Sequence, residues 1–140
     1  MQNMQVLKQN SDFRRAYRKG KSYSDPALVT YILENNRAGS CRVGITTSKK
    51  IGNAVERNRC RRIIRAALRE IQPHIHGCYD FVFVARSRTK YIKSTDVYSI
   101  MYHQLSKAGV VEDPAAFKAT VANMGADASA TEERMRIAYV

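Results

Sequence analysis

The chain has 140 residues, which suits one domain, and its 44% apolar side chains are enough to bury a core. There are 24 Lys and Arg against 12 Asp and Glu, a formal net charge of +12, while no apolar run approaches the roughly eighteen residues of a membrane span and no secretory leader pattern opens the chain. Cys41, Cys60 and Cys78 are odd in number, well separated and without a CxxC pair, which argues against a disulfide framework or zinc knuckle and for reduced thiols in the cytoplasm.

Ser11 or Asp12 is read as the cap of a short basic helix, Phe13-Arg14-Arg15-Ala16-Tyr17-Arg18-Lys19, stopped at Gly20. Asp25-Pro26 marks a turn, and Ala27 to Leu33 is rich in strand formers. Glu34 to Ser40 reads as a hairpin loop, with Cys41 to Thr47 as a returning strand antiparallel to the first. Ser48-Lys49-Lys50-Ile51-Gly52-Asn53 is a polar loop.

From Ala54 to Ile71 the period changes: Cys60, Ile63, Ile64, Ala67, Leu68 and Ile71 form one helical stripe, ended by Pro73 and Gly77. Tyr79 to Ala85 is apolar on both faces, the mark of a central strand. Ser94-Thr95-Asp96 is a cap cluster for a last helix to about Lys107, with Val97, Ile100, Met101 and Leu105 facing inward. The expected fold is a single α+β domain over residues 1–108, in the order α-β-β-α-β-α, with a mixed sheet packed by helices. Residues 109–140 have no periodic apolar face and are expected as a flexible C-terminal tail.

The charge is uneven. Residues 1–106 hold 20 basic and 7 acidic side chains (20 − 7 = +13), and residues 107–140 hold 4 and 5 (4 − 5 = −1). A domain this basic is expected to bind a polyanion, nucleic acid before membrane. The second helix localises the charge. With Cys60 at zero on a helical wheel, the apolar stripe covers about −60° to +80°, whereas Arg61, Arg65, Asn58, Arg69 and Arg62 fall at about 100° to 200°. The plain reading of a charge run is a solvated helix face, but such faces mix signs because like charges four residues apart repel. Here Arg57, Arg61, Arg65 and Arg69 form an unbroken ladder, suited to phosphates, and arginine's planar fork bridges phosphate oxygens and stacks on bases. Near-uniform arginine favours a folded RNA over the mixed polar set that reads a DNA groove. A ribosome-associated RNA-binding module and a DNA-binding regulator are the alternatives that charge alone leaves open.

The contiguous stretch from Arg42 to Arg65, with Ser48-Lys49-Lys50-Ile51-Gly52-Asn53-Ala54-Val55 followed by Arg57-Asn58-Arg59-Cys60-Arg61-Arg62, resembles the signature of the bacterial ribonuclease P protein family. The likeness extends over about residues 4–107, including the early Phe13, the Gly20-Lys21 turn and the late Tyr79-Asp80. It implies a ribosomal-protein-like fold with a left-handed β-α-β crossover. It also implies a subunit of the enzyme that removes the 5′ leader from precursor tRNA. In that family the RNA subunit holds the catalytic Mg2+ and does the chemistry, so the protein alone is expected to be inactive, with no obligate protein partner. The resemblance assigns Lys49, Lys50, Arg57, Asn58, Arg59, Arg61, Arg62, Arg65 and, by extension of the face, Arg69 to the RNA subunit. It assigns Phe13, Tyr17 and Tyr31, with Arg14 and Arg18, to the leader of precursor tRNA; core packing is the competing reading for Phe13 and Tyr31. Cys60 and Glu56 depart from the motif, and Cys60 falls on the apolar stripe, where burial accounts for it.

Other constellations are weak. The seven acidic residues before position 107 form no cluster of the kind that holds paired metals for phosphodiester hydrolysis. His74 and His76 lack further spaced ligands, and Ser48 lacks a nearby His or Asp.

Overall fold

Strand Tyr79–Ala85 is the axis of the molecule, as its apolar run on both faces requires. In the computed structural model, which describes residues 4–35 and 40–111, the elements are β1 (Gln5–Val6), α1 (Asn10–Lys19), β2 (Lys21–Asp25), β3 (Leu28–Glu34), β4 (Arg42–Thr46), α2 (Ala54–Ile71), β5 (Tyr79–Ala85) and α3 (Ser94–Lys107). Short 3-10 turns occupy Gln72–His74 and Ser87–Tyr91. The five strands lie in the order β1-β4-β5-β3-β2. β5 runs antiparallel to β3 and parallel to β4, so the sheet is mixed and α2 is the crossover between parallel neighbours. The α+β class and the succession of the six expected elements are as read from the sequence.

Three local expectations are corrected. The returning strand is antiparallel in direction to β3 but does not pair with it, because β5 is inserted between the two. Two further strands exist, β1 and β2; β2 is polar and mostly exposed on an edge, so it lacks the apolar alternation that announces a strand. Helix α1 begins at Asn10 after Gln9, and neither Ser11 nor Asp12 caps it; Asp12 lies within the first turn and faces Arg15 and Arg42.

The pleat of the sheet divides the core. Phe81, Phe83, Leu28 and Ile32 face α2 and α3, where they are buried with Ile64, Ile71, Met101 and Tyr102. Burying such side chains contributes about 1.5–3 kcal/mol each. On the other face Val82 packs with Leu7 and Ala16 beneath α1. Cys60 is fully buried on the α2 stripe. Helix α3 is also tied by polar bonds. Gln104, buried, accepts from the Thr30 hydroxyl at 2.6 Å and donates to the carbonyls of Tyr23 at 3.0 Å and Leu28 at 2.9 Å. Val110 and Val111, on the tail side of the expected boundary after residue 108, are buried in the same core, and the His76 amide donates to the Val110 carbonyl. Residues 112–140, the remainder of the expected tail, lie outside the described residues, as do 36–39 of the expected hairpin loop.

Candidate nucleic-acid interface

Helix α2 starts at a reciprocal cap. The Asn53 side chain accepts from the Glu56 amide at 2.9 Å, and the Glu56 carboxylate accepts from the Asn53 amide at 3.2 Å. Glu56, the acid inside the basic motif, is thus spent at the positive end of its own helix and on Lys90, 3.1 Å away. The Asn53 amide and the Lys90 ammonium hold its carboxyl below the ordinary glutamate range. It therefore does not neutralise the opposite flank. There Arg62, Arg65 and Arg69 are exposed and form no ion pair with any described residue. Arg61 donates to the Asn58 side chain at 2.9 Å along the same flank. Arg57 is partly buried and donates to the Gly52 carbonyl at 2.9 Å, bracing the turn that presents the exposed Lys49 and Lys50.

Arg59 is different. Its Nε and Nη2 donate to the carbonyls of Lys90 and Ile92 at 3.3 and 3.4 Å, so it turns away from the ladder and toward the β5–α3 connection. The nine expected RNA-subunit residues therefore separate into an outward set and two arginines, Arg57 and Arg59, engaged with backbone carbonyls.

Across the sheet, α1 carries the aromatic set. Phe13 and Tyr31 are half-buried against the cluster of Leu7, Ala16 and Val82, and Tyr17 is 42% exposed. The Tyr17 and Tyr31 rings meet edge-to-face, centroids 4.9 Å apart at 80°. Arg14 and Arg18 are exposed beside Tyr17 on a shallow concavity. All five expected leader residues thus share the α1 side of the sheet; packing and exposure are combined in Phe13 and Tyr31 rather than exclusive. Because β1 is only two residues long, the sheet edge beside it is open. One cleft there joins Phe13 and Gly44 of the α1 face to Ile45, Arg61 and Arg65 of the α2 face.

Helix α1 is held over the sheet by an ion-pair network, centred on one buried aspartate, that is absent from the expected site residues. Asp80 on β5 is fully buried. Arg42 clamps it with Nε at 2.9 Å and Nη2 at 2.7 Å, and the Asn35 amide donates to both oxygens at 3.1 Å. Arg15 of α1 approaches Asp80 to 3.6 Å and pairs with Asp12, which Arg42 also reaches at 3.5 Å. Burial alone would raise the Asp80 carboxyl, but the bonds from Arg42 and Asn35, with the charges of Arg42 and Arg15, outweigh it and hold the group below the ordinary aspartate value. The signal available in the sequence is an acid one residue into an apolar strand, since such a charge requires a partner once buried.

The described carboxylates do not fit a hydrolytic metal pair. Asp12 and Asp80 are committed to arginines, Glu56 to Lys90, Asp25 to the Ala27 amide and Asp96 to the Lys93 amide; Glu34 and Glu70 are also engaged. Among the described residues no three His, Cys, Asp or Glu side chains group as metal ligands.

Known proteins share both the sequence and the fold. The family model for ribonuclease P matches residues 1–109. The ribonuclease P protein component of Clostridium novyi (strain NT) is 40% identical over 111 residues, covering 79% of this chain and 98% of that one. The solved ribonuclease P protein of Staphylococcus aureus superposes with a TM-score of 0.69 at 34% identity, covering 79% of this chain and all of that one. That of Thermotoga maritima gives 0.65 at 23% identity, covering 74% and 96%, a likeness of fold.

Proposed function

This chain belongs to the bacterial ribonuclease P protein family, hence to a subunit of an RNA-processing nuclease, and we propose that it binds the catalytic RNA subunit through the α2 arginine flank and the precursor tRNA leader through the α1 cleft. The observation that carries this reading is the unopposed run of Arg61, Arg62, Arg65 and Arg69, opening round the short β1 edge onto Phe13. Arginine side chains without protein carboxylates are free for phosphates, and two RNA-facing surfaces that meet at one edge let a single domain bridge enzyme RNA and substrate.

In this reading the protein performs no bond cleavage. Its described carboxylates are engaged with neighbouring groups of the chain, and in this reading the Mg2+ ions of hydrolysis belong to the RNA subunit. What the chain supplies is position and field. Exposed Tyr17 and half-buried Phe13 and Tyr31 offer ring faces and edges to unpaired leader bases without reading sequence, at roughly 1–3 kcal/mol per stacked base. Arg14 and Arg18 lie where leader phosphates pass, and Lys49 and Lys50 extend the arginine flank. The cell compartment that follows is the cytoplasm, where precursor tRNA is made.

Reconstitution tests the reading. Added to a bacterial ribonuclease P RNA at low Mg2+, the chain is expected to accelerate release of the 5′ leader and leave a 5′-phosphate on the tRNA. Absence of stimulation, with the RNA active at high Mg2+, overturns it.

A further inference from the structure

The β5–α3 connection, Arg86-Ser87-Arg88-Thr89-Lys90-Tyr91-Ile92-Lys93, holds four basic residues in eight and no acid. It is built as a rigid platform. Thr89 is fully buried; its hydroxyl donates to the Ala27 carbonyl and accepts from the Arg86 amide at 2.9 Å, which pins the 3-10 turn to the β2–β3 junction. From the side, Arg59 of α2 donates to two of its carbonyls, and the Lys90 ammonium donates to the Ile51 carbonyl at 2.7 Å.

With Lys90 held by Glu56 and Ile51, and its ammonium 5.2 Å over one face of the Tyr91 ring, the groups left outward are Arg86, Arg88 and Lys93, all exposed, and the rest of Tyr91, which is 77% exposed. A lone exposed tyrosine needs no explanation, but one set among unopposed cations on an anchored turn has the composition of a base-stacking platform. The platform is continuous with the arginine flank. On the helical wheel Arg62, Val55 and Arg59 follow at about 200°, 220° and 260°, and Val55 is itself 76% exposed between them. Because β4 and β5 are parallel, the loops leaving both also emerge at one end of the sheet, which brings Lys49 and Lys50 to the same end as Arg86 and Arg88.

We propose that Arg86–Lys93 is a second contact for the RNA subunit, in which Arg86, Arg88 and Lys93 meet phosphates, Tyr91 stacks on an unpaired base, and Arg59 is a positioning residue that docks this segment on α2. The inference rests on the functional reading above. It commits to the RNA subunit rather than precursor tRNA because Arg59 ties the segment directly to α2, whereas the aromatics Phe13, Tyr17 and Tyr31 of the leader site lie on the α1 face of the sheet.

The test compares the full chain with R86A/R88A/K93A, Y91A, Y91F and R59A in titrations of ribonuclease P RNA over a range of salt. The triple variant is expected to raise Kd about tenfold or more, and to reduce the slope of log K against log salt by about two to three, near one for each phosphate no longer met. Y91A is expected to weaken binding about fivefold or more with the slope unchanged, and Y91F to restore it. R59A is expected to increase amide exchange across residues 87–93. If it lowers the salt slope by one and leaves exchange unchanged, Arg59 itself meets a phosphate and the positioning role fails. A photo-crosslinker in place of Tyr91 should attach to the RNA subunit; attachment to precursor tRNA alone overturns the choice of partner. Failure of the unmodified chain to bind the RNA defeats the functional reading itself. Binding by that chain with an unchanged triple variant defeats only the second contact.

Discussion

Phe13 lies directly on Gly44: a β-carbon built at position 44 would stand 2.5 Å from Cε1 of the Phe13 ring, far inside van der Waals contact. The glycine is needed here for space. It lets α1 approach β4 closely enough for an aromatic from the helix to floor the cleft beside Arg61 and Arg65. Replacing Gly44 with Ala is expected to displace the ring and to destabilise the domain by about 1–3 kcal/mol, as overpacking does. Urea unfolding, together with the ratio of precursor to mature tRNA affinity in the holoenzyme, measures both effects; wild-type values for G44A would contradict the close contact.

Tyr17 separates binding from packing better than Phe13 does, because it is 42% exposed and its described ring contact is the edge-to-face pair with Tyr31. Tyr17→Ala should lower stability by no more than about 1 kcal/mol, the size of one aromatic pair. It should also weaken precursor tRNA binding by about fivefold or more while mature tRNA affinity is preserved. Equal loss for both tRNAs would remove Tyr17 from the leader site.

On α2, the triple variant R61A/R62A/R65A is expected to remain folded, since Arg62 and Arg65 are exposed and Arg61 only half-buried on the polar flank. Its affinity for the RNA subunit should fall, with the slope of log K against log salt smaller by about three. Circular dichroism checks the fold and salt-dependent titration the slope. A slope equal to wild type would mean that the phosphates are met elsewhere.

The Asp80 network predicts an acid dependence of stability. Its carboxyl titrates below the ordinary aspartate value of 3.8, so the folded state binds this proton less readily than the unfolded chain does. The stabilisation is therefore full above that ordinary value and is lost as pH falls through it and on through the lower folded value. Asp80→Asn should abolish this part of the pH dependence and, by weakening the bonds to Arg42, which keeps Asp12 at 3.5 Å, cost about 1–3 kcal/mol at neutral pH. Urea midpoints of both proteins from neutral pH downward decide it: parallel curves would show that Asp80 does not titrate in this window.

Much of the molecule can be read from local pattern. The α2 wheel is set by 3.6-residue periodicity, so the stripe ending in Ile71 and the flank bearing Arg65 are legible from the order of residues alone, as is the central character of β5 from its unbroken apolar run. The motif from Ser48 to Arg65 likewise identifies the family by itself. The tertiary structure alone decided which strands are neighbours. An alternation of two suits β4 equally well beside β3 or beside β5, and only the α2 crossover and the common core select β5. It alone showed that Arg59, which the family resemblance assigns to the RNA subunit, is engaged with the carbonyls of Lys90 and Ile92, because a guanidinium at the margin of a helix face takes its partner from whatever chain segment packs there. The meeting of Phe13 with Gly44 has the same origin. Periodicity along the chain determines which side of an element is charged or apolar; contacts between residues far apart in sequence determine what that side faces.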